Sequence, residues 1–318
     1  MSNPSRSGRS TGRNPFRSPL PGVPKALLSA LGSPPDPIET YDLCHPAVPA
    51  ALDGLTILHI TDAHVRTPQG KDPAFNRLLH ALAWTAPDIT ALTGDYMTEP
   101  GDETHALDAL MRLRDAWKAD LGVFGVFGNH DSHEFKLAAR QIEGITWVEN
   151  RVVDFQPRLP LRLACASYPE DLFGAMIHDP IPWEPSRDAS TFPWPSLPDD
   201  QPPTPLTLAI SHYPTEIFPA ADLGIPLVLA GHTHGGQIRP WKGHVPHTSS
   251  DFPSHLATGV LRLRNTICCV SRGVGEAYVG LRLNCPRQAP LYTLRRGQAP
   301  RGRRIKDGDY TTLTQVVA

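Results

Sequence analysis

Five short apolar segments of the chain each end beside Asp, Asn or His residues. Each segment has the length and composition of a buried strand, and the five comprise residues 55–60, 88–93, 121–127, 206–211 and 225–230. The polar residues at their ends are Asp62, His64, Asp95, Asn129, His130, Asp131, His212, His232 and His234. Ligands of open α/β sheets collect at the carboxyl ends of the strands, so the repeated pattern predicts that these residues form one site.

The first of these strand ends shows why the pattern favours a metal site. Asp62 and His64 are two positions apart, and in an extended chain such residues point to the same side of the backbone. A carboxylate and an imidazole can then share one cation. A single Asp and His pair is common by chance, and a histidine by itself is more often a core or surface residue than a ligand. Five equivalent strand ends make chance a poor explanation.

Two segments between the first three strands have apolar residues at helical spacing. Residues 72–83 place Phe75, Leu78 and Leu82 on one face, and residues 102–117 show the same periodicity. Strand and helix therefore alternate, which indicates an α/β fold with parallel strands and right-handed crossovers. The remaining elements are predicted as a helix at residues 132–143 and strands at residues 38–43, 145–153, 161–166, 266–270, 279–283 and 291–294.

The ends of the chain and one inserted segment differ in composition from this alternating core. Residues 1–36 are rich in Ser, Pro and Arg and are expected to be a disordered basic leader, with contact to anionic lipid as the alternative. The stretch 169–205 contains tryptophan and many prolines, and is interpreted as a poorly ordered insertion or as a lid over the substrate. The catalytic domain would then comprise residues 37–295, followed by a basic, polar tail at 296–318 that we expect to fray.

Composition argues against several classes of protein. The formal net charge of -2 and the pI near 6.7 disfavour a nucleic-acid partner. No apolar run approaches the roughly 18 residues of a membrane span, so a cytoplasmic location is expected, with peripheral contact at the inner membrane as the alternative. The five cysteines are odd in number and lack CxxC spacing, which favours buried reduced thiols without a chemical role.

The residues at the strand ends suit two cations rather than one. Oxygen donors are provided by Asp62, Asp95 and Asn129, and imidazole donors by His64, His212, His232 and His234. Mixed oxygen and nitrogen ligands without thiolate favour Mn, Fe, Zn or Ni over Ca or Mg alone. A carboxylate such as Asp95 can bridge two cations about 3.5 to 4 Å apart, and a water molecule between such ions loses its proton near neutral pH and can attack phosphorus.

As a set, these motifs resemble the calcineurin-like metallophosphoesterase family over residues 38–295. The motifs that carry the resemblance are Asp62-x-His64, Gly94-Asp95, Gly128-Asn129-His130-Asp131, His212 and Gly231-His232-Thr233-His234. Residues 231–237, 271–275 and 281–286 resemble in addition the bacterial branch that includes the YkuE and YaeI phosphodiesterases and the UDP-2,3-diacylglucosamine pyrophosphatases. The resemblance implies two mixed β-sheets sandwiched between helices, in four layers α/β/β/α.

The resemblance also implies a role for each motif residue. The first metal ion would be held by Asp62, His64 and His234, the second by Asn129, His212 and His232, and Asp95 would be shared. His130 would protonate or stabilise the leaving-group oxygen, and Asp131 would orient its ring. The chain departs from the branch at Pro226, at residues 166–168 and at residues 287–289. The last departure puts a C-terminal structural contact in doubt.

The expected activity is hydrolysis of a phosphodiester or pyrophosphate bond, dependent on two divalent metal ions. The expected substrate is a small-molecule or lipid-linked phosphoester, and UDP-2,3-diacylglucosamine of lipid A synthesis is the most specific candidate. A phosphomonoesterase or protein phosphatase would use the same ligands, because substrate choice lies in the loops. A non-catalytic metal-binding scaffold is the alternative of another class. The sequence leaves the oligomeric state open.

Overall fold

The computed structural model of the protein describes residues 37–66, 73–83, 85–116, 119–165, 204–241, 244–248, 250, 252, 254–277, 280–298, 302–304 and 313–316. The predicted leader at residues 1–36 and almost all of the predicted insertion at 169–205 lie outside these ranges, as do parts of the tail at 296–318. Within the described ranges, every helix is too short or too polar to cross a membrane.

The first sheet has six strands and carries three of the predicted strand ends. Its order is β1-β12-β2-β3-β4-β5, with the bounds Ile38–His45 (β1), Ala289–Arg296 (β12), Thr56–Ile60 (β2), Ile89–Thr93 (β3), Gly122–Val126 (β4) and Ile145–Trp147 (β5). Strands β2, β3, β4 and β5 are parallel, whereas β12 is parallel to β1 and antiparallel to β2. The parallel part is the one that the alternation of strands and helices predicted.

Helices α1 (Pro73–Leu82) and α2 (Glu103–Ala116) connect the parallel strands, close to their predicted bounds. Helix α3 (His133–Ala139) is shorter than the predicted helix at residues 132–143. It begins after Ser132, whose hydroxyl oxygen accepts a hydrogen bond from the backbone N–H of Phe135 at 3.2 Å. This is the usual way in which a serine satisfies a free amide at a helix N-terminus.

The second sheet carries the other two predicted strand ends. Its order is β13-β14-β10-β11-β9-β8-β7-β6. The bounds are Gly302–Arg304 (β13), Leu313–Val316 (β14), Gly259–Leu263 (β10), Thr266–Val270 (β11), Leu227–Ala230 (β9), Leu206–Ile210 (β8), Leu161–Cys165 (β7) and Arg151–Asp154 (β6). Strands β7, β8, β9 and β11 are parallel in succession, and the outer strands pair antiparallel. The short helix α4 (Ile217–Asp222) follows β8 and packs on this sheet.

Three clusters of buried apolar side chains define the order of the layers. In β2, Leu58 packs in a cluster with α1 and α2, whereas its neighbour Ile57 packs in the cluster between the two sheets. In β9, Leu229 belongs to the cluster between the sheets and Val228 to the cluster with α4. Because neighbouring strand residues point to opposite faces, the layers are helices, sheet, sheet and helix. The predicted α/β fold with two mixed sheets between helices is confirmed.

The structure corrects the sequence prediction at three places. Residues 145–153 form not one strand but β5 in the first sheet and β6 in the second, and the left-handed backbone of Asn150 (φ 47°) lies between them. Residues 280–283 form only an isolated bridge, in which Leu283 pairs with Ile238. In the tail, β14 pairs with β10 and with β13, so these two segments do not fray as expected.

Candidate metal centre

The predicted ligands come from both sheets and meet where the sheets face each other. Strands β2, β3 and β4 of the first sheet end before Asp62, Asp95 and Asn129, and strands β8 and β9 of the second sheet end before His212 and His232. Strands β2, β3 and β4 are parallel to one another, as are β8 and β9, so their carboxyl ends lie along one edge of each sheet. The five strand ends therefore form one site, as the sequence pattern predicted.

The backbone at these ligands is left-handed rather than extended. Positive φ angles occur at five of the seven predicted ligands: Asp62 (53°), His64 (43°), Asp95 (56°), His232 (70°) and His234 (51°). The expectation that Asp62 and His64 share a side because the chain stays extended is therefore wrong. A left-handed turn at each ligand redirects its side chain toward the site. Such a backbone is costly for residues other than glycine, and it is concentrated at functional sites.

Glycine precedes three of the motif residues because the chains approach closely there. A Cβ atom on Gly128 would lie 2.2 Å from Oδ1 of Asp95, and one on Gly231 would lie 2.5 Å from Oδ2 of Asp62. Any larger residue at these positions would displace a carboxylate of the site. The Gly-Asp, Gly-Asn-His-Asp and Gly-His-Thr-His motifs thus have a steric cause.

The first ligand cluster consists of Asp62, His64, Asp95 and His234, all of them buried. One donor atom of each lies within 4.8 Å of the others. Nε2 of His234 is 3.4 Å from Oδ1 of Asp62, and Nε2 of His64 is 3.4 Å from Oδ2 of Asp95. The two imidazole Nε2 atoms are 3.0 Å apart. Four donor atoms from three strand ends therefore surround one point.

The second ligand cluster consists of Asp95, His212 and His232, and it shares Asp95 with the first. Nε2 of His212 is 3.2 Å from Oδ2 of Asp95 and 3.2 Å from Nδ1 of His232. The amide oxygen of Asn129 lies 3.1 Å from the same Nε2 atom and is partly exposed. The two His/Asp clusters are thus assembled around the carboxylate of Asp95, and the Asn129 side chain lies beside the second cluster.

The contacts of the donor atoms fit bound cations. Nδ1 of His212 lies 2.7 Å from the carbonyl oxygen of Thr93 and donates to it, so Nε2 is the ring atom that faces the cluster. This carbonyl contact is the usual support of a metal-binding histidine. The Nε2 atoms of His64 and His234 converge at 3.0 Å, and each lies 3.4 Å from a carboxylate oxygen. A cation held at this point would bind both nitrogen atoms and both carboxylates.

The electrostatics of the cluster point to the same conclusion. Burial raises the pKa of Asp62 to about 7. Burial also opposes ionisation of Asp95, but the positive charges of His212 and His130 outweigh it and hold the pKa of Asp95 well below its ordinary value. Burial lowers the pKa of His64 and, together with the charges of its neighbours, that of His234. His64 and His234 are therefore neutral imidazoles beside the ionised Asp95, which is the state that a divalent cation requires of its ligands. Burial opposes protonation of His212, but the charge of Asp95 outweighs it and raises the pKa of His212 to about 9, so a cation bound there would displace a proton.

His130 lies beside the ligands at the partly exposed side of the site. Its ring centroid is 5.0 Å from that of His64. Nδ1 lies 2.6 Å from the carbonyl oxygen of Thr98, and the backbone N–H donates to Oδ1 of Asp95 at 2.9 Å. A carbonyl oxygen only accepts, so Nδ1 carries the hydrogen in this contact and Nε2 is the ring atom that gains or loses a proton.

Asp131 has different partners from those we expected. Its Oδ2 atom accepts from the backbone N–H groups of Asp95 (3.0 Å) and Gly128 (2.7 Å), and its Oδ1 atom accepts from that of Tyr96 (2.8 Å). Thr98 therefore takes the contact with the His130 ring that the sequence assigned to Asp131. Burial and the charge of Asp95 raise the pKa of Asp131 to about 6. The Asp131 carboxylate fixes the turns that carry Asp95 and Asn129.

Comparison with known proteins agrees with this geometry. The profile of the calcineurin-like phosphoesterase family matches residues 55–236, which is more than half of the chain and includes every predicted ligand. The chain belongs to this family. It is a metallophosphoesterase with a buried His/Asp metal-binding cluster, and hence a metal-dependent hydrolase. Its two ligand clusters share Asp95, as in a dinuclear centre, and the identity of the metal is not known.

Two relatives come from Bacillus subtilis (strain 168). The chain is 27% identical over 237 residues to the uncharacterized metallophosphoesterase YkoQ, covering 72% of this chain and 79% of the relative. It is 24% identical over 268 residues to the uncharacterized metallophosphoesterase YkuE, covering 82% of this chain and 87% of the relative. The crystal structure of TT1561 of Thermus thermophilus aligns with 69% of this chain and 90% of its own at 13% identity and a TM-score of 0.38.

The sequence analysis did not assign a role to Arg282, which the structure places behind His234 of the metallophosphoesterase site. The side chain of Arg282 is only 6% exposed. Its Nη2 atom donates to the carbonyl oxygens of Gly275 (2.6 Å) and Arg272 (2.7 Å) and lies 3.5 Å from Nδ1 of His234. The segment that it holds also bonds to the first motif, because the N–H of Gly275 donates to the carbonyl of Asp62 at 2.8 Å. The signal for this role was present, since Arg282 lies inside a motif of the resemblance.

The C-terminal contact that residues 287–289 put in doubt is present in this metallophosphoesterase with other partners. The side-chain oxygen of Gln288 accepts from the backbone N–H of Arg272 at 3.1 Å. Its Nε2 atom donates to Oε2 of Glu39 at 2.7 Å and to the hydroxyl of Tyr41 at 2.9 Å. Gln288 therefore joins the first strand to the loop that supports Asp62.

Proposed function

We propose that the protein hydrolyses a phosphodiester or pyrophosphate bond with two divalent cations. The observation that carries the proposal is the pair of His/Asp clusters that share the buried carboxylate of Asp95. A bridging carboxylate is the arrangement that two-metal hydrolases use to keep their ions close enough to act on one phosphoryl group. Burial of nearly all donor atoms strengthens these interactions, because the local dielectric is low.

The residues divide between the two ions as their positions suggest. Those proposed to hold the first ion are Asp62, His64 and His234, and those proposed to hold the second are Asn129, His212 and His232, with Asp95 between the ions. When bound, two such cations neutralise charge on the phosphoryl oxygens and lower the pKa of a water molecule. The protein itself fixes the coordination geometry through the left-handed turns and the carbonyl of Thr93.

His130 is proposed to donate a proton to the leaving oxygen. Its Nδ1–H is directed to the carbonyl of Thr98, so the proton that is transferred leaves from Nε2. The ring is partly exposed, whereas the ligands around it are mostly buried, so it lies where substrate enters. A histidine positioned in this way accelerates a reaction with a poor leaving group about 10²–10⁴-fold.

The resemblance of residues 231–237, 271–275 and 281–286 to a phosphodiesterase branch supports a diester or pyrophosphate rather than a monoester. We include a lipid-linked nucleotide, UDP-2,3-diacylglucosamine, in this proposal as a substrate to be tested. Phosphomonoester hydrolysis would use the same ligands, so the substrates themselves must separate the two reactions.

The test is hydrolysis of bis-p-nitrophenyl phosphate, p-nitrophenyl phosphate and the lipid nucleotide by protein loaded with Mn, Fe, Zn or Ni. We expect kcat/KM for the diester to exceed that for the monoester, and an Asp95→Asn variant to hydrolyse neither. A preference for the monoester would overturn the proposed bond type. Absence of hydrolysis in protein shown to contain two ions per chain would overturn the proposed reaction and favour the scaffold.

A further inference from the structure

A cavity lies beside Arg282, the residue that contacts His234 of the metal centre. Its volume is about 180 Å³, and it is lined by Pro37, Ala74, Arg77, Arg282, Pro286 and Arg287. The start of β1, the first turns of α1 and the segment that follows Arg282 therefore enclose it. None of the predicted metal ligands lines this cavity.

The charge around the cavity is strongly positive. Three of its six lining residues are arginines, and none of the described residues that line it is acidic. Glu276 is the carboxylate that contacts these arginines among the described residues: it forms an ion pair with Arg287 and lies 4.0 Å from Nε of Arg282. One carboxylate therefore faces three guanidinium groups, and the excess positive charge remains uncompensated by the described residues.

Two of the three arginines are held in place by the protein. Nε of Arg282 donates to the carbonyl of Gly275 at 2.9 Å, and its remaining N–H groups are directed to other backbone carbonyls, so its charge is fixed beside the cavity. Nε of Arg287 is buried and has no hydrogen-bond partner among the described residues. A buried donor without a partner destabilises the folded state, and a ligand that accepts a hydrogen bond from it would recover that free energy. Arg77 is exposed on α1 and is available to close over a ligand.

We propose that this cavity binds one small oxyanion of the phosphate class, separately from the metal centre. Guanidinium groups match the geometry of phosphate oxygens with paired N–H donors. The volume equals roughly six water molecules at about 30 Å³ each, and it is below the roughly 300 Å³ at which pockets for larger ligands begin. The cavity therefore suits a single phosphate group with a few waters.

Such an anion would lie next to Arg282, the residue that supports the metal centre. Arg282 lines the cavity and also donates through Nη1 to the carbonyl oxygen of His234 at 3.3 Å. The inference does not depend on the reaction proposed above, because the cavity has its own lining and its own charge. It is therefore tested by binding rather than by turnover.

The experiment measures binding of inorganic phosphate by calorimetry to the full chain, with metal bound and after chelation. Chelation removes phosphate binding at the metal centre, so the heat that remains reports the cavity. We expect an Arg77→Gln, Arg287→Gln double variant to weaken this remaining binding about tenfold or more, because each charge-assisted hydrogen bond contributes about that factor. The double variant is expected to keep its metal content, its melting temperature and its hydrolysis of the diester.

The matched control is an Arg114→Gln, Arg264→Gln double variant. It removes the same charge from two arginines that pair with Asp115 and Asp222 on other parts of the surface. Unchanged binding by this control supports a local site rather than a general effect of net charge. Equal weakening in both double variants would overturn the proposal.

Glycerol 3-phosphate serves as a second probe that distinguishes the source of the anion. Tighter binding of glycerol 3-phosphate indicates a phosphate group carried by a larger molecule, whereas tighter binding of inorganic phosphate indicates the free ion. Both results support the proposal that the cavity binds a phosphate group. The proposal is overturned if the chelated wild-type protein binds neither probe up to about 10 mM, a limit that corresponds to less than about 3 kcal/mol of binding free energy. It is also overturned if the Arg77 and Arg287 variant binds as the wild type does.

Discussion

The Nε2 atom of His64 lies 3.0 Å from the Nε2 atom of His234, although 170 residues separate them in sequence. His64 follows β2 of the first sheet and His234 follows β9 of the second. A cation held by these two residues would connect the two sheets directly. The metal centre is part of the contact between the halves of the fold as well as the place of the chemistry.

Removal of the metal ions is accordingly expected to destabilise the whole domain. An ion present at 100 times its dissociation constant stabilises the folded state by about 2.7 kcal/mol. Chelation should therefore lower the midpoint of thermal unfolding by several degrees, measured by circular dichroism, and re-addition of metal should restore it. An Asp95→Asn variant should show no response to the chelator. A response equal to that of the wild type would contradict the shared role of Asp95.

Replacement of Asp95 by alanine is expected to empty both metal positions, because Asp95 belongs to both ligand clusters. Replacement of Asp62 should empty only the first position. Metal content per chain, measured by mass spectrometry, should fall toward zero in Asp95→Ala and to about half in Asp62→Ala. Asp222→Ala, a change of an exposed carboxylate that pairs with Arg264, is the control. Retention of one ion by Asp95→Ala would show that the second cluster holds its ion without it.

His130→Ala is expected to reduce kcat by about 10²–10⁴ with alkyl leaving groups while metal content stays unchanged. The loss should be smaller for p-nitrophenol, which leaves without protonation. Steady-state kinetics with both kinds of ester measures the difference. Equal losses for the two leaving groups would argue against proton donation, and loss of metal would show that His130 is a ligand.

Arg282→Gln is expected to weaken metal binding at the first position about 10- to 100-fold, as changes behind a metal-binding histidine commonly do. The side chain holds the segment that bonds to Asp62 and lies beside His234. Arg282→Lys should not rescue the binding, because a lysine cannot reach several carbonyls at once. Competition with a chelator of known affinity measures the change, and Arg264→Gln serves as the control. Wild-type affinity in Arg282→Gln would limit this residue to a packing role.

The burial of His59 predicts that the folded protein loses stability in acid. It is fully buried, its Nε2 atom contacts the hydroxyl of Thr93 at 2.7 Å, and burial lowers its pKa to about 3. Because the folded pKa is below the ordinary value of about 6.5, the unfolded chain takes up a proton first as pH falls. Full stability is therefore present above about pH 6.5 and is lost progressively toward pH 3. Between pH 7 and 5 the loss is about 2 kcal/mol.

Urea unfolding at pH 7 and pH 5 measures this loss, and the difference between wild type and His59→Gln isolates the contribution of His59. The variant should lose about 2 kcal/mol less than the wild type over this range. His80→Gln, a change on the exposed face of α1, should behave as the wild type does. An identical pH dependence in wild type and His59→Gln would show that this ring is not kept neutral by burial.

The positions of the ligands could be predicted from the sequence because parallel strands bring their carboxyl ends together. Asp62, Asp95 and His212 follow apolar runs that have no other plausible structure, and the helical spacing between the runs fixes the strand direction. The conformation of the ligands could not be predicted. No local sequence pattern indicates the left-handed backbone at His64 and His234.

The contacts around the ligands could not be predicted from the sequence either. Asp131 lies next to His130 in the chain, which favoured the interpretation that it orients the ring, but its carboxylate turns to the amides of Asp95 and Tyr96. Arg282 lies 48 residues from His234 in sequence, so their contact depends on the tertiary structure. The split of residues 145–153 between the sheets depends on a single turn at Asn150. Each of these features results from packing rather than from periodicity.

The position of β12 between β1 and β2 has a consequence for biosynthesis. The strand comprises Ala289–Arg296, so the first sheet has a gap until these residues leave the ribosome. The ligands up to His234 are synthesised long before the gap is closed, and the edges of β1 and β2 remain open to other chains meanwhile. Nascent chains that stall before residue 296 should therefore be the species most in need of a chaperone.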